Sequence, residues 1–489
     1  MKKYYLQGIC LLLSLVMVLS VLVGCSRRNK DGSGTTENSQ QTESSTEPIV
    51  KKEMTFEDFG EREFNLMGRA GRTHYLYSDG VSPDRIEQAA YSRNSYIEEN
   101  FHIDLILVNG PTGSTSGKTG EAWSNALITS SGEYDLIVPD YWWKIEQTGY
   151  VENLLDLPRH EIDLSDEWWY DGWNSSTTIN GKLFSIVGDA AMEVLENIEV
   201  SFFNKNMAAN NGLNLYADVE EGTWTLEQMR AYSRMVALNL DEPGDTTIYG
   251  SLYDQHSAIA QGYASGLKLI NINESGFPEA NYNNPNNYDI IAKVASVIAE
   301  PSVNYEPKTA RSVTFNINTF MNGRALFYNT ALYLGTRLKN GNLPFDYGVI
   351  PMPKYNEEQA DYISTIYGVS FFSIPTSVKD VHCSATILNA LNWLSHPNGN
   401  LAKKSLTYEY LETVLKNQIA DDEIDANMIQ LARTNLYVDF AFIYDGNLKV
   451  HNAYDYVARG TNPDLASQLQ TIDETFSEKL RELVGDIYG

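Results

Sequence analysis

The chain has 489 residues, with 64 acidic against 36 basic side chains and a formal net charge of −28. That balance excludes nucleic acid as a partner, because binding it requires lysine and arginine to neutralise phosphate, and it argues against an anionic lipid surface. With 43% apolar and 11% aromatic residues, the bulk can bury a core, and the length suits two or three domains.

Met1-Lys2-Lys3 opens an apolar run that closes at Leu22-Val23-Gly24-Cys25. A basic start, about 15 apolar residues and a small residue before the cut describe a secretory leader. The run is shorter than the roughly 20 residues that span a bilayer as a helix. Leu-Val-Gly-Cys resembles the lipobox of bacterial lipoproteins, which implies a leader over 1–24 and a lipid anchor on Cys25. An ordinary leader with an incidental cysteine, or an uncleaved anchor, is the alternative. Residues 25–52 hold no aromatic residue and almost nothing to bury, so they read as a disordered tether. Its expected reach is roughly 30 Å, enough to hold a body off a membrane.

The globular body begins near residue 53. Asp84 to Asn100 reads as a helix leading into the strand Ile103 to Val108, and Tyr134 to Val138 is a short buried strand bounded by Gly132 and Pro139. Asn197 to Phe203 alternates as a strand. Thr225 opens a helix with a capping-box pattern and apolar positions at Leu226, Met229, Tyr232 and Val236. The Asn/Pro-rich stretch 271–289 reads as a surface loop, and Phe345 to Ile350 as a strand. Leu465, Leu469, Ile472, Phe476, Leu480 and Leu483 make a strong amphipathic helix, expected to stop at Gly485. Alternating helices and strands over more than 400 residues imply an α/β protein, too long for one core and therefore two-lobed.

Chemistry is signalled weakly. No phosphate loop, nucleophile elbow or zincin motif occurs, and the seven histidines show no metal-ligand spacing, so neither cofactor nor metal is expected. A glycosidase-like carboxylate pair stays open, because acidic residues are abundant. Cys10 lies in the leader and Cys25 carries the anchor, so Cys383 is left alone. It reads as a small buried hydrophobe at a helix start. The aromatic residues say more. Seven of the eight tryptophans precede residue 225, and Asp140-Tyr141-Trp142-Trp143 follows a strand end directly. Ligands in α/β sheets bind outside the carboxyl ends of strands. Aromatic faces stack on sugars while a carboxylate accepts from hydroxyls, so this cluster reads as a sugar platform. Trp168, Trp169, Tyr170 and Trp173 are a second candidate group; core filling is the competing reading for both.

Several ordered segments resemble the extracellular solute-binding proteins of ABC importers, in the carbohydrate branch. They are Tyr134-Asp135-Leu136-Ile137, Thr148-Gly149-Tyr150 through Leu154, Gly181 to Ile186, Phe202-Phe203-Asn204-Lys205, Thr223-Trp224-Thr225-Leu226-Glu227, Phe320 to Leu326, Asp346 to Pro353 and Tyr367-Gly368-Val369-Ser370. Phe203 replaces the family's tyrosine, and the usual proline near Thr223 is absent. Tyr91-Ser92-Arg93-Asn94 and Asn435 to Asp439 suggest a Gram-positive branch.

The resemblance implies a two-lobed periplasmic-binding-protein-like fold of type II, with the ligand in a cleft between lobes that close like a hinged clamp. Lobe 1 would hold 53–186 plus about 370–430, and lobe 2 would hold 187–368 plus about 431–489, with crossovers near Ile186–Asn197 and Tyr367–Ile374. Ligand contacts are expected from Asp140, Tyr141, Trp142, Trp143 and Trp173 on the first lobe. Asp189, Asn197, Asn329, Tyr333, Tyr367 and Gly368 would supply the rest, and Tyr328 would be core. The leading expectation is a monomeric, non-enzymatic receptor on the outer face of the cytoplasmic membrane, delivering a sugar or oligosaccharide to ABC permease subunits. The alternatives are a lipid-anchored glycan-degrading enzyme and a ligand sensor without transport.

Overall fold

The computed structural model describes residues 54–488 except 112–115, 142–143, 159–160, 283, 307–309, 367, 445–447 and 449–464. The leader, Cys25 and the tether lie outside the described residues, as do Trp142, Trp143 and Tyr367.

Two sheets organise the body. The first has strand order β2-β1-β3, all parallel, from β1 (Arg62–Arg69), β2 (Ile103–Gly110) and β3 (Leu136–Val138). The helix Arg85–Phe101 makes the β1–β2 crossover. Asp84 caps it, its carboxylate accepting from the backbone N–H of Ile86 at 2.9 Å and Glu87 at 3.1 Å. The second sheet takes β4 (Glu199–Asn204), β5 (Tyr249–Asp254), β8 (Val303–Glu306), β9 (Ala325–Ala331) and β10 (Tyr347–Pro351) in the order β10-β4-β9-β5-β8. Strand β4 is antiparallel to both its neighbours, whereas β9, β5 and β8 are mutually parallel. β4, β5, β9 and β10 are buried along their whole length, as strands covered on both faces must be.

Two extended segments connect the sheets. Ser370 and Ser373 bridge to Asp140 and Ile137 beside the first sheet, and Phe372 bridges to Ile186. Farther along the same pair of segments, Ile366 bridges to Ile198, next to β4. The helix Val381–Ser395 follows the second segment. Cys383 is fully buried in its first turn, and burial pushes its thiol up to about 12, so it acts as a packed hydrophobe.

Tertiary packing overrode local signals at two places. The C-terminal helix runs Leu465–Tyr488, past Gly485. Ile487 and Tyr488 are buried, Tyr488 donates its hydroxyl to the Thr177 carbonyl at 3.1 Å, and Lys182 Nζ donates to the Tyr488 carbonyl at 3.0 Å. Those contacts outweigh the roughly 1 kcal/mol that glycine costs in a helix. The stretch 271–289 is also more ordered than a loop. It contributes to the hairpin of β6 (Ile270–Ile272) and β7 (Pro278–Ala280), then starts the helix Pro285–Ile298. The Asn273 side chain accepts from the N–H of Ser275 and of Phe277, which builds the turn.

A clasp ties the start of the body to the helix Val381–Ser395. His382 Nε2 lies 2.7 Å from Glu57 and Nδ1 lies 2.7 Å from Glu161. Hydrogen bonds to Glu57 and then Glu161 raise the imidazole pKa above 6.5. A group whose folded pKa is raised stabilises fully below its unfolded pKa and loses that contribution as pH rises through the folded value. His382→Gln is therefore expected to lower the thermal midpoint below pH 6.5, with the deficit shrinking above it. Thermal melts across pH check this; a deficit that grows with pH would contradict it.

Candidate functional site

The carboxyl ends of strands in both sheets meet the connecting segments, and charged side chains gather there. Arg69 ends β1 and forms an ion pair with Asp140, which follows β3. Three residues on, Arg72 Nη1 donates to Glu193 Oε1 at 3.3 Å. Glu193 is 3% exposed and sits on the first connecting segment, in the short helix Glu193–Glu196. Its Oε2 accepts from the Ser370 N–H of the second segment at 2.6 Å. Asn197 Nδ2 donates to the Gly368 carbonyl at 2.5 Å and joins the two segments directly. A Cβ on Gly368 would lie 2.6 Å from Tyr141 Cε1, so glycine is what lets the second segment pass close to that ring.

The second sheet contributes Tyr333, in the turn Leu332–Leu334 just after β9, with its side chain 42% exposed. Partial burial, then the nearby Glu199 carboxylate, raise its phenol pKa. Arg72 acts on the same phenol in the opposite direction, which places groups from the ends of the two sheets within electrostatic reach of each other. A half-exposed ring beside an oriented guanidinium and carboxylates can stack on a flat apolar face and exchange hydrogen bonds with hydroxyls.

The other expected site residues divide between several places. Tyr141 is 1% exposed; its ring stacks on Phe442 and meets Trp173 edge-on. Trp173 is itself buried and stacks on Phe371. Both rings are core, because their faces are already covered by other rings. Asn329 is also internal: it accepts from Ser201 Oγ at 2.6 Å and donates to the Leu252 carbonyl at 3.2 Å, so its amide ties β9 to its neighbours. Tyr328 is core, as its place on the strand implies. Asp189 lines a separate cavity of about 820 Å³ with Trp169, Tyr170, His396 and Arg433. That cavity shares no residue with the Arg69–Tyr333 group, and burial raises the Asp189 carboxyl while His396 and Arg433 oppose the shift.

Arg69, Arg72 and Glu193 were missed from sequence. Their signal was present: two arginines, Arg69 and Arg72, follow closely on the mostly apolar segment Phe64 to Met67. Reading that run as a strand would have placed them at its carboxyl end.

No family model and no curated protein matches the sequence. Solved structures match it over most of its length. The sugar-binding protein MalE from Xanthomonas citri aligns with a TM-score of 0.60 at 12% identity, covering 87% of this chain and 100% of its own. The cyclic alpha-maltosyl-1,6-maltose binding protein from Arthrobacter globiformis aligns at 0.59 and 15%, covering 86% and 100%. This chain has their two-lobed α/β fold. UgpB from Mycobacterium tuberculosis, solved with glycerophosphocholine, aligns at 0.53 and 14%, covering 87% and 99%.

Proposed function

We propose that this chain is a lipid-anchored extracellular receptor that captures a sugar or oligosaccharide and passes it intact to an ABC permease. The carrying observation is the convergence of Arg72–Glu193 and Tyr333 from the two lobes on the connecting segments. Trp142 and Trp143 would extend that surface from the first lobe, and Tyr367 from the second connecting segment. The segments 186–198 and 366–373 would serve as the hinge, with residues before 186 and the helix Val381–Ser395 in lobe 1 and the second sheet in lobe 2. Contacts to both lobes coexist only in the closed form, so ligand binding supplies the free energy of closure.

The test is a thermal-shift screen against a sugar panel, since binding the native state raises apparent stability by mass action. Each hit is then examined by small-angle scattering and mass spectrometry. Compaction with intact ligand is the expected result, and hydrolysed ligand would favour the glycan-degrading alternative. Among the described residues no helix is long and apolar enough to cross a membrane, and the proposed attachment is the lipid on Cys25. Cys25→Ala is expected to abolish incorporation of labelled fatty acid and release the protein from membranes. Labelling that persists would remove the anchor from the proposal.

A further inference from the structure

The helix Arg85–Phe101 carries two polar side chains into the interior: Arg93 is 0% exposed and Asn94 3%. Among the described residues no carboxylate pairs with Arg93. Burial lowers its pKa to about 9, so the guanidinium keeps its charge at neutral pH. A buried charge without a counter-charge is costlier than an apolar side chain of similar size, so packing alone does not account for Arg93.

Its hydrogen bonds do. Arg93 Nε donates to Asn94 Oδ1 at 3.0 Å, which turns the Asn94 amide nitrogen to the Leu76 carbonyl. Arg93 Nη2 and Asn94 Nδ2 both donate to that carbonyl, at 2.7 and 2.9 Å. Leu76 belongs to a turn in which the Leu76 and Tyr77 N–H groups donate to the Thr73 carbonyl at 2.9 Å. Arg72 leads directly into that turn. The turn also packs on β1, where a Cβ at Gly68 would fall 2.8 Å from Thr73 Cγ2 and 3.1 Å from Leu76 Cδ1. The remaining arm of the guanidinium leads toward Glu193. Arg93 Nη1 donates to Ser395 Oγ at 3.2 Å, at the end of the helix Val381–Ser395. One turn earlier in that helix, Asn392 Oδ1 accepts from the Ala190 N–H of the first connecting segment at 3.0 Å. Arg72 and Glu193 come from different segments, and Arg93 is tied to the supports of both.

We propose that Arg93 and Asn94 are positioning residues for ligand binding, fixing the turn 73–77 so that Arg72 lies on Glu193 already oriented toward a sugar hydroxyl. The inference rests on the sugar-receptor reading and adds to it residues that touch no ligand. The Arg72 side chain is 51% exposed, and an unsupported side chain of that kind would have to be ordered when ligand arrives, at a cost in affinity.

Two readouts test it. The first needs no sugar: the nuclear magnetic resonance signal of the Arg72 side-chain Nε–H, assigned by its loss in Arg72→Lys. Asn94→Asp keeps an acceptor for Arg93 Nε and removes the donor to Leu76; Asn94→Ala removes both. Each is expected to move the Arg72 signal in the direction that Glu193→Gln moves it. Ile97→Val, a core truncation on the same helix, is expected to lower the thermal midpoint and leave that signal in place. The second readout is calorimetry with glucose, cellobiose or chitobiose, whichever raises the melt most. Asn94→Asp is expected to weaken binding by about fivefold to tenfold, the size of coupling within one hydrogen-bond network, and by less than about twofold when Arg72 is already alanine. An Arg72 signal unmoved by both Asn94 variants, or moved as far by Ile97→Val, would overturn the inference. An affinity loss that is the same with and without Arg72 would overturn it too, and in either case the receptor reading stands. Failure of these sugars and of the whole panel to bind would overturn the receptor reading and, with it, the role in binding proposed for Arg93 and Asn94.

Discussion

Tyr333→Ala is expected to weaken sugar binding by about tenfold to a hundredfold while leaving the thermal midpoint of the empty protein unchanged. The magnitude follows from the roughly 1–3 kcal/mol that stacking on an aromatic side chain contributes per base, used as an analogy for a sugar face. The selectivity follows from exposure. Tyr333 sits on a surface turn with 42% of its area open, so its removal leaves no closed void behind. Tyr141→Ala should behave in the opposite way. That ring is 1% exposed between Phe442 and Trp173, and its deletion opens a core cavity worth about 3–5 kcal/mol of stability. Calorimetry and thermal melts on the two variants separate the roles. Unchanged affinity in Tyr333→Ala would take that ring out of the site.

Gly250→Ala is expected to destabilise the fold by about 3 kcal/mol or more, the upper end for overpacking. Gly250 lies in β5, against the helix Leu226–Val236. A Cβ there would fall 2.2 Å from Ser233 Cα and Cβ and 2.5 Å from its carbonyl oxygen. Two of these atoms are backbone, so no rotamer change relieves the clash. The strand cannot yield either, because β9 and β8 hold it on both edges. The helix would have to retreat, stretching the 2.9 Å hydrogen bond between Ser233 and Ser251 hydroxyls and loosening fully buried Leu226 and Met229. Urea unfolding measures the loss; a change under about 1 kcal/mol would show that the helix moves more freely than this packing allows.

Much of the architecture was legible because local signals agreed with the final packing. The short apolar run ending at Val138, the helix read from Asp84, the Thr225 cap and the apolar alternation over 197–203 all became the elements they suggested. Short-range periodicity reports which face is buried, and burial is what these elements share. Periodicity carries no such signal for Arg93 and Asn94, which are polar. Both are buried on the helix Arg85–Phe101, where Arg93 Nη2 and Asn94 Nδ2 donate to the Leu76 carbonyl.

The sequence by itself determined the α/β class and most element positions, since each depends on neighbours in the chain. Only the tertiary structure decided which aromatic rings are covered and which are open. Tyr141, Trp173 and Tyr333 carry the same kind of surface, yet the first two are enclosed by rings from residues 371 and 442 while the third stands at the end of β9. Likewise, Arg72 and Glu193 lie 121 positions apart and Glu193 and Ser370 lie 177 apart. Charges so distant in sequence become one site only when the two sheets and their connecting segments are in place, because electrostatic coupling depends on separation in space.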